Sequence, residues 1–260
     1  MWQPDGGART RIGVLTPHAD VWPEAEFCAM APDGISIHAA RVHFGAYRLG
    51  AMDPTIADDP VRKFADPPLV DDAAELLASA PLHAIAYGFT SSSYVRGAAD
   101  DAKLKERLER RTRGIPVVIT CAAAVTALIA LGVTRLALIS PPWFSTEIDQ
   151  QGVRYFQSQG LEVVHSGPAG LPSDQQAIRP SELYEWVRTQ TPNSAEAVFI
   201  GGNGFRAIGV IEALEESLDR PILTANQVAF WQALALSGSR EPIVGYGRIF
   251  GLQVAGVRSA

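Results

Sequence analysis

Short apolar runs alternate with helix-period segments along the whole of this 260-residue chain. Strands are predicted at residues 11–16, 35–42, 84–87, 116–120, 135–140, 161–165, 197–200 and 221–224. Helices are predicted at residues 70–80, 98–113, 122–131, 147–159, 181–189, 205–218 and 227–236, with Ser181 as an N-cap. The alternation predicts an α/β, doubly wound parallel sheet, because parallel strands need crossover connections that place helices on both faces.

Two parts of the pattern are similar to each other. Residues 84–94 and 197–206 each run from an apolar strand through a turn into a helix start. That similarity suggests two similar lobes facing across a cleft. We expect an N-terminal lobe at residues 1–120 and a second lobe at residues 121–224. The C-terminal segment, residues 225–260, is expected to pack back on the first lobe.

The acidic balance of the chain argues against two classes of partner. Lys and Arg total 22 and Asp and Glu total 28, which gives a formal net charge of −6. Nucleic acids and membrane surfaces attract a positive field, so neither is expected as a partner. The mostly apolar stretch at residues 121–133 is shorter than the roughly 20 residues of a membrane-spanning helix. Residues 1–11 lack the apolar core of a signal peptide, so a cytoplasmic protein is expected.

The cysteines and histidines do not suggest a metal centre or a disulfide framework. Cys28 and Cys121 lie far apart in sequence, and the five histidines form neither an HxxxH nor an HExxH motif. There is no Walker A motif, and the glycine-rich turn at residues 201–204 does not fit GxGxxG. These observations argue against a metal site and give little support to a dinucleotide site.

Ligands of parallel sheets bind beyond the carboxyl ends of the strands, which directs attention to residues 16–20, 88–93, 140–143 and 201–204. Hydroxyls and backbone N–H groups at residues 90–93 suit a carboxylate, although a helix cap is the simpler interpretation. The turn at residues 201–204 can present bare N–H groups to an anion, although it also suits an ordinary tight turn.

His18 and Asp20 follow the first predicted strand and offer an acid and a base. The simpler interpretation is a loop in which Asp20 is a turn or cap residue. Trp143 is most simply explained by packing. Both cysteines are most simply explained as inert, buried side chains in or beside apolar helical segments.

Six segments carry a family resemblance. In chain order they are RIGVLTPHADVWPEAEF, YGFTSSSYVRG, GIPVVITCAAAVTALIALGVTRLALISPP, VFIGGNGFRAIGVIEALE, RPILTANQVAFWQAL and GYGRIF. Together they resemble the arylmalonate decarboxylase and maleate cis-trans isomerase branch of the aspartate/glutamate racemase superfamily. The resemblance covers residues 11–250.

The resemblance implies two α/β lobes related by a pseudo-two-fold axis, with an active site between them and no cofactor. It also implies a small carboxylate substrate held by hydroxyls and backbone amides. The substrate-binding candidates are Pro17, Phe89, Thr90, Ser91, Ser92, Trp143, Gly202, Asn203 and Gly204.

The chain departs from the family pattern at the positions that carry the chemistry. Members of the family place a catalytic cysteine in one or both loops, whereas Phe89 and Gly202 stand there in this chain. The asparagine of the opening loop is replaced by Asp20. Two-base racemisation and thiolate attack on maleate therefore lack their usual groups. Decarboxylation needs a pinned carboxylate and one proton donor, which Asp20 or His18 could supply.

We therefore expect a cofactor-independent acid–base lyase that acts on a small carboxylate through Asp20 and His18. Three alternatives stay open. One is an isomerase-like, racemase-like or cyclising enzyme, and another is an inactive carboxylate-binding homologue. The third is a thiol enzyme in which Cys28 or Cys121 reaches the cleft. A homo-oligomer is compatible with the sequence, and the substrate itself cannot be read from it.

Overall fold

Two four-stranded parallel sheets form the framework of the protein in a computed structural model, which describes residues 7, 9–48 and 50–252. The strands are β1 (Thr10–Pro17), β2 (Ile35–Val42), β3 (Tyr47–Arg48), β4 (Ala51–Met52), β5 (Ala84–Tyr87), β6 (Val117–Ile119), β7 (Arg135–Ser140), β8 (Glu162–Pro168), β9 (Ala197–Ile200) and β10 (Ile222–Thr224). The sheet orders are β2-β1-β5-β6 and β8-β7-β9-β10, and β3 and β4 form a separate hairpin. Both sheets therefore place the second, first, third and fourth strands of their lobe in that order, so the two lobes repeat one topology.

Ten helices connect these strands in the described part of the chain. They are α1 (Trp22–Met30), α2 (Asp58–Phe64), α3 (Leu69–Leu77), α4 (Thr90–Arg96), α5 (Ala98–Arg111), α6 (Thr120–Ala130), α7 (Thr146–Ser158), α8 (Pro180–Gln190), α9 (Ile211–Leu218) and α10 (Ala225–Leu236). Short 3-10 turns occupy Ile208–Val210 and Arg248–Gly251. None of the helices among the described residues is long and apolar enough to cross a membrane.

Strand β1 is an inner strand of the first sheet, and its pairing with β2 and β5 brings the carboxyl ends of these three strands side by side. It lies between β2 and β5, so nearly all of its residues are buried, as expected of an apolar strand in the middle of a parallel sheet. Pro17 pairs with Val42, and Leu15 pairs with Tyr87. This register brings the segments that follow β1, β2 and β5 to one edge of the sheet.

Helices α4 and α7 pack against each other where the lobes meet. Tyr94 of α4 contacts the rings of Phe144, Tyr155 and Phe156 from the second lobe. A Cβ atom at Gly152 would lie 2.7 Å from the Tyr94 ring, so only glycine allows α7 to approach this closely. The buried apolar residues of both lobes consequently form one continuous core.

The α/β fold with two similar parallel-sheet lobes is confirmed, and two details of the prediction are wrong. Ser181 is not an N-cap: α8 begins at Pro180 after Arg179, with no side-chain cap, since proline suits the first helical position. The helix predicted at residues 205–218 begins only at Ile211, after a turn and a 3-10 segment. Helices α1 and α2 and the β3–β4 hairpin were not predicted.

Helix α10 contacts α1, β5 and β6 of the first lobe, although it follows the last strand of the second. On this basis we propose the division into residues 1–120 and 121–224, with the segment from residue 225 packed on the first lobe. Residues 253–260 of that predicted segment lie outside the described residues.

Replacing Tyr155 by Phe tests the polar contact between the lobes. The Tyr155 hydroxyl donates to the buried Asp101 carboxylate at 2.8 Å, and Ser93 donates to its other oxygen at 3.0 Å. Loss of the Tyr155 donor leaves a buried carboxylate oxygen unpaired, so we expect a loss of about 1–3 kcal/mol in the free energy of unfolding. Urea denaturation measures it. Tyr184→Phe is the control, because the Tyr184 hydroxyl makes no hydrogen bond within the described residues. Equal midpoints for both variants would contradict this account.

Candidate active site

A cavity lies between the lobes at the carboxyl ends of both sheets, where open parallel sheets bind ligands. The segments after β1, β5, β7 and β9 line it, together with residues that follow β2 and β8. The lining residues are Asp20, Phe44, Met52, Ile56, Phe89, Thr90, Ser91, Trp143, Phe144, Gln175, Gly202, Asn203 and Gly204. The cavity holds about 300 Å³ of empty space, which includes the part that opens to solvent.

The first loop, residues 88–92, leads from β5 into α4. Phe89 points into an aromatic cluster, with its ring centroid 4.1 Å from that of Phe64 and 5.0 Å from that of Phe44. Its ring therefore supplies an apolar wall. The Ser91 side chain lines the cavity, and its hydroxyl makes no hydrogen bond within the described residues. That hydroxyl is free to donate to a substrate.

The second loop, residues 201–208, follows β9. Gly202 has a φ of +85°, and a Cβ atom there would lie 2.1 Å from Pro141, so no other residue fits without a shift. A Cβ atom at Gly204 would lie 3.0 Å from a carboxylate oxygen of Asp20. The backbone of the second loop thus passes directly beside Asp20. Within the described chain, the backbone N–H groups of Asn203 and Gly204 form no hydrogen bond.

Asn203 joins the two loops. Its Oδ1 accepts from the Thr90 backbone N–H at 2.9 Å and from the Thr90 hydroxyl at 2.6 Å. The same hydroxyl accepts from the Gly202 N–H at 3.3 Å. The single hydroxyl proton of Thr90 is therefore committed to Asn203. Thr90 holds the loops together, and we assign donation to a substrate to Ser91 instead.

Asp20 is the acidic group of the cavity. It is buried, and its Oδ1 accepts from Gln175 Nε2 at 2.6 Å. Arg41 donates to its backbone carbonyl. Burial raises the pKa of Asp20 to about 6, against the opposing effects of the Gln175 hydrogen bond and the Arg41 charge. A carboxyl with this pKa can hold or release a proton near neutral pH.

The structure brings together most of the predicted site residues. Those that line the cavity are Asp20, Phe89, Thr90, Ser91, Trp143, Gly202, Asn203 and Gly204. Pro17 and Ser92 are not among the lining residues, and the Ser92 hydroxyl donates to the Phe89 carbonyl at 3.1 Å.

His18 lies outside the lining of the cavity, whereas Asp20 belongs to it. Its ring stacks on His43, and its Nδ1 accepts from the Phe44 N–H at 3.0 Å. Burial, together with the charge of His43, lowers the pKa of His18, which favours the neutral ring.

Five lining residues were not predicted: Phe44, Met52, Ile56, Phe144 and Gln175. Three of them, Phe44, Met52 and Ile56, belong to the segment after β2, and Gln175 belongs to the segment after β8. The rule that sites lie after strand ends would have found both segments if it had been applied to the edge strands as well.

Neither cysteine lines the cavity. The expectation that both cysteines are buried is wrong for Cys28, which is exposed because it lies on the solvent side of α1. Cys121 is fully buried on α6, where its thiol lies 3.7 Å from the Thr90 carbonyl oxygen. Burial raises the pKa of both thiols, that of Cys121 well above its usual range. In the described part of the chain, no group of three or more His, Cys, Asp or Glu side chains is placed to hold a metal ion.

Comparison with known proteins places this geometry in a family. A family model described as arylmalonate decarboxylase matches residues 19–250. The chain is 25% identical over 245 residues to the arylmalonate decarboxylase of Bordetella bronchiseptica. The matched region covers 92% of this chain and 95% of that protein. It is 24% identical over 232 residues to the maleate isomerase of Geobacillus stearothermophilus, and the matched region covers 86% of this chain and 90% of that protein.

Solved structures show the same fold. The maleate isomerase Iso from Pseudomonas putida S16 superposes with a TM-score of 0.81 at 17% identity, over 96% of this chain and 99% of that one. A crystal structure of arylmalonate decarboxylase superposes with a TM-score of 0.73 at 22% identity, over 93% and 99%.

The fold and the cavity define a two-lobed α/β protein with a cavity between the carboxyl ends of its two parallel sheets. The family model spans most of the chain, so the protein belongs to the arylmalonate decarboxylase family. This confirms the resemblance read from the sequence. The two relatives are a decarboxylase and an isomerase, which supports an enzyme.

Replacing Gln175 by Met tests the electrostatics of Asp20 without an activity assay. Removing the Gln175 donor leaves the Asp20 carboxylate less stabilised, so we expect the pKa of Asp20 to rise above about 6. Carbon-13 NMR of the Asp20 carboxyl during a pH titration measures it. Gln176→Met is the matched control, because the exposed Gln176 side chain makes no hydrogen bond within the described chain. An unchanged or lower pKa of Asp20 in Gln175→Met would refute the claim that the Gln175 hydrogen bond stabilises the Asp20 carboxylate.

Proposed function

We propose that this protein decarboxylates a small malonate-type dicarboxylate that carries an apolar substituent, with Asp20 as the proton donor. The observation that carries the proposal is the composition of the cavity wall. Of the described lining residues, Asp20 alone has an acid–base side chain, and the other residues of the wall supply apolar groups and free hydrogen-bond donors. That set suits a reaction that needs one proton and one stabilised anion.

The retained carboxylate of the substrate would be held by the Ser91 hydroxyl and the backbone N–H groups of Asn203 and Gly204. These donors have no hydrogen-bond partner in the described structure, so they need no rearrangement to bind an anion. They are held in place by the Thr90–Asn203 contact. Such fixed donors stabilise negative charge better than mobile water does.

The leaving carboxylate would lie against the apolar side of the cavity, formed by Phe44, Met52, Ile56, Phe89 and Phe144. An anion without hydrogen bonds is destabilised there, whereas neutral CO₂ is not. The C–C bond breaks and its electron pair moves onto the retained carboxylate, which becomes an enediolate. Because this carboxylate accepts the pair, the step needs no cofactor.

Asp20 would complete the reaction by giving its proton to the α-carbon of the enediolate. The product is a monocarboxylate, and the Asp20 carboxylate then regains a proton from solvent. Burial already raises the pKa of Asp20, and the charge of a bound dianion would raise it further. His18 is left out of the proposal, because its Nδ1 is occupied and its ring stacks on His43.

The variant Asp20→Asn tests the donor. We expect CO₂ release from phenylmalonate to fall by at least about 100-fold, because general acid catalysis contributes that much. Binding of phenylmalonate should persist, since asparagine keeps the shape and removes only the proton. Proton NMR in D₂O follows both product and α-deuterium. Asp33→Asn, at an exposed carboxylate without a hydrogen bond in the described chain, is the control.

Equal turnover in the Asp20→Asn and wild-type proteins would overturn the role of Asp20. A wild-type protein that binds carboxylates but converts none of a panel of aryl- and alkylmalonates, maleate, aspartate and hydroxy acids would instead be a binding protein.

Iodoacetamide tests the alternative of a thiol enzyme. The exposed Cys28 should be alkylated, and turnover should be unchanged, because neither thiol lines the cavity. Mass spectrometry of the treated protein, alongside Cys28→Ser and Cys121→Ser variants, locates the label. Loss of turnover on alkylation, with protection by phenylmalonate, would favour the thiol enzyme and contradict the proposal.

A further inference from the structure

A chain of buried amide hydrogen bonds runs from α1 to the first loop through the second. Asn226 Nδ2 donates to Glu26 Oε2 at 2.7 Å, and Asn203 Nδ2 donates to Asn226 Oδ1 at 2.9 Å. Asn203 Oδ1 then accepts from Thr90, as described above. Each of these four side chains is at least nine-tenths buried. The chain of contacts therefore connects α1, α10, the second loop and the first loop.

The direction of these hydrogen bonds is fixed at both ends. The Thr90 backbone N–H can only donate, so Asn203 must present Oδ1 to it. Asn226 Nδ2 also donates to the Asn203 backbone carbonyl at 2.9 Å, and a carbonyl can only accept. If either asparagine rotated its side-chain amide by half a turn, its NH₂ group would point at another N–H donor, or its oxygen at another oxygen.

Glu26 is the fixed acceptor at the end of the chain, and it also anchors the second loop. Its Oε1 accepts from the backbone N–H groups of Ala207 at 2.7 Å and Ile208 at 3.1 Å. A carboxylate fits three donors because an ionised carboxylate only accepts. Burial raises the pKa of Glu26 to about 7, so the carboxylate form dominates above that pH.

We propose that Glu26 and Asn226 are positioning residues, which hold the second loop against the first through a one-way amide relay. Glu26 fixes the second loop at residues 207 and 208. Asn226 and Asn203 fix its middle to Thr90, while Gly204 of the same loop lies beside Asp20. The relay thereby sets the position of the free N–H groups relative to the proton donor. The catalytic consequence of this placement rests on the proposed function, whereas the relay itself does not.

The variant Glu26→Gln tests the relay, because glutamine has one acceptor and one donor where the site needs two acceptors. Either Asn226 or the Ala207 and Ile208 N–H groups must then face a donor. Amide hydrogen exchange at pH 8, followed by NMR, should show the Thr90 N–H exchanging at least about tenfold faster. The Leu138 amide in the middle of β7 should keep its protection.

Asn226→Ala separates the two parts of the relay and serves as a second variant if Glu26→Gln does not fold. It removes the link to Asn203 but leaves the two backbone bonds of Glu26. Exchange should therefore accelerate at Thr90 and stay slow at Ala207 and Ile208. Glu216→Gln is the matched control, since the exposed Glu216 side chain makes no hydrogen bond within the described residues.

Unchanged Thr90 exchange in both relay variants would overturn the proposal. With phenylmalonate as the probe, the relay predicts a lower kcat/KM in Glu26→Gln than in Glu216→Gln, and equal kcat/KM values in the two variants would also overturn the positioning role. If the wild-type protein converts no phenylmalonate but Thr90 exchange accelerates as expected, the relay stands and the decarboxylase proposal fails.

Discussion

The hydrogen bonds between Asn203 and Thr90 connect the lobes at the cavity, and the geometry of the candidate site depends on them. They join a loop from the second sheet to a loop from the first, so each loop limits the movement of the other. The register of β1 with β2 and β5 brings the first-lobe segments to this point, and β7 with β9 does the same in the second lobe. The directional amide contact holds the second loop in the place where Gly204 lies beside Asp20.

The same burial that fixes the loops changes the chemistry of Asp20. A carboxyl group in water is ionised at neutral pH and donates poorly, whereas burial brings its pKa to about 6. The family resemblance places a thiol on the loops, but here an aromatic ring and a glycine occupy those positions. Burial favours the protonated carboxyl of Asp20, and the Gln175 hydrogen bond and the Arg41 charge oppose it. The proposed function therefore uses the Asp20 carboxyl where the family resemblance implies a thiol.

The sequence predicted the framework well because its signals are local. The apolar run of β1 and the strand–helix–strand of residues 116–140 needed only periodicity. The rule for strand ends found Asp20, Ser91 and Asn203. It could not predict that Asp20 lines the cavity and His18 does not, because side-chain direction in an irregular loop depends on tertiary contacts. The helix predicted from residue 205 begins only at Ile211, after a turn whose Ala207 and Ile208 N–H groups donate to Glu26, a residue far away in sequence. Gln175 lies in a loop without periodicity, so no local pattern indicated its contact with Asp20.

The central claim is that one buried carboxyl delivers the proton from one face of the cavity, without a thiol. Decarboxylation of 2-methyl-2-phenylmalonate by a Cys28→Ser/Cys121→Ser double variant in D₂O tests it most directly. The account predicts wild-type turnover and a product that carries α-deuterium in a single enantiomer, because Asp20 lies on one side of the bound enediolate. Loss of turnover in the double variant, or a racemic deuterated product, would contradict it.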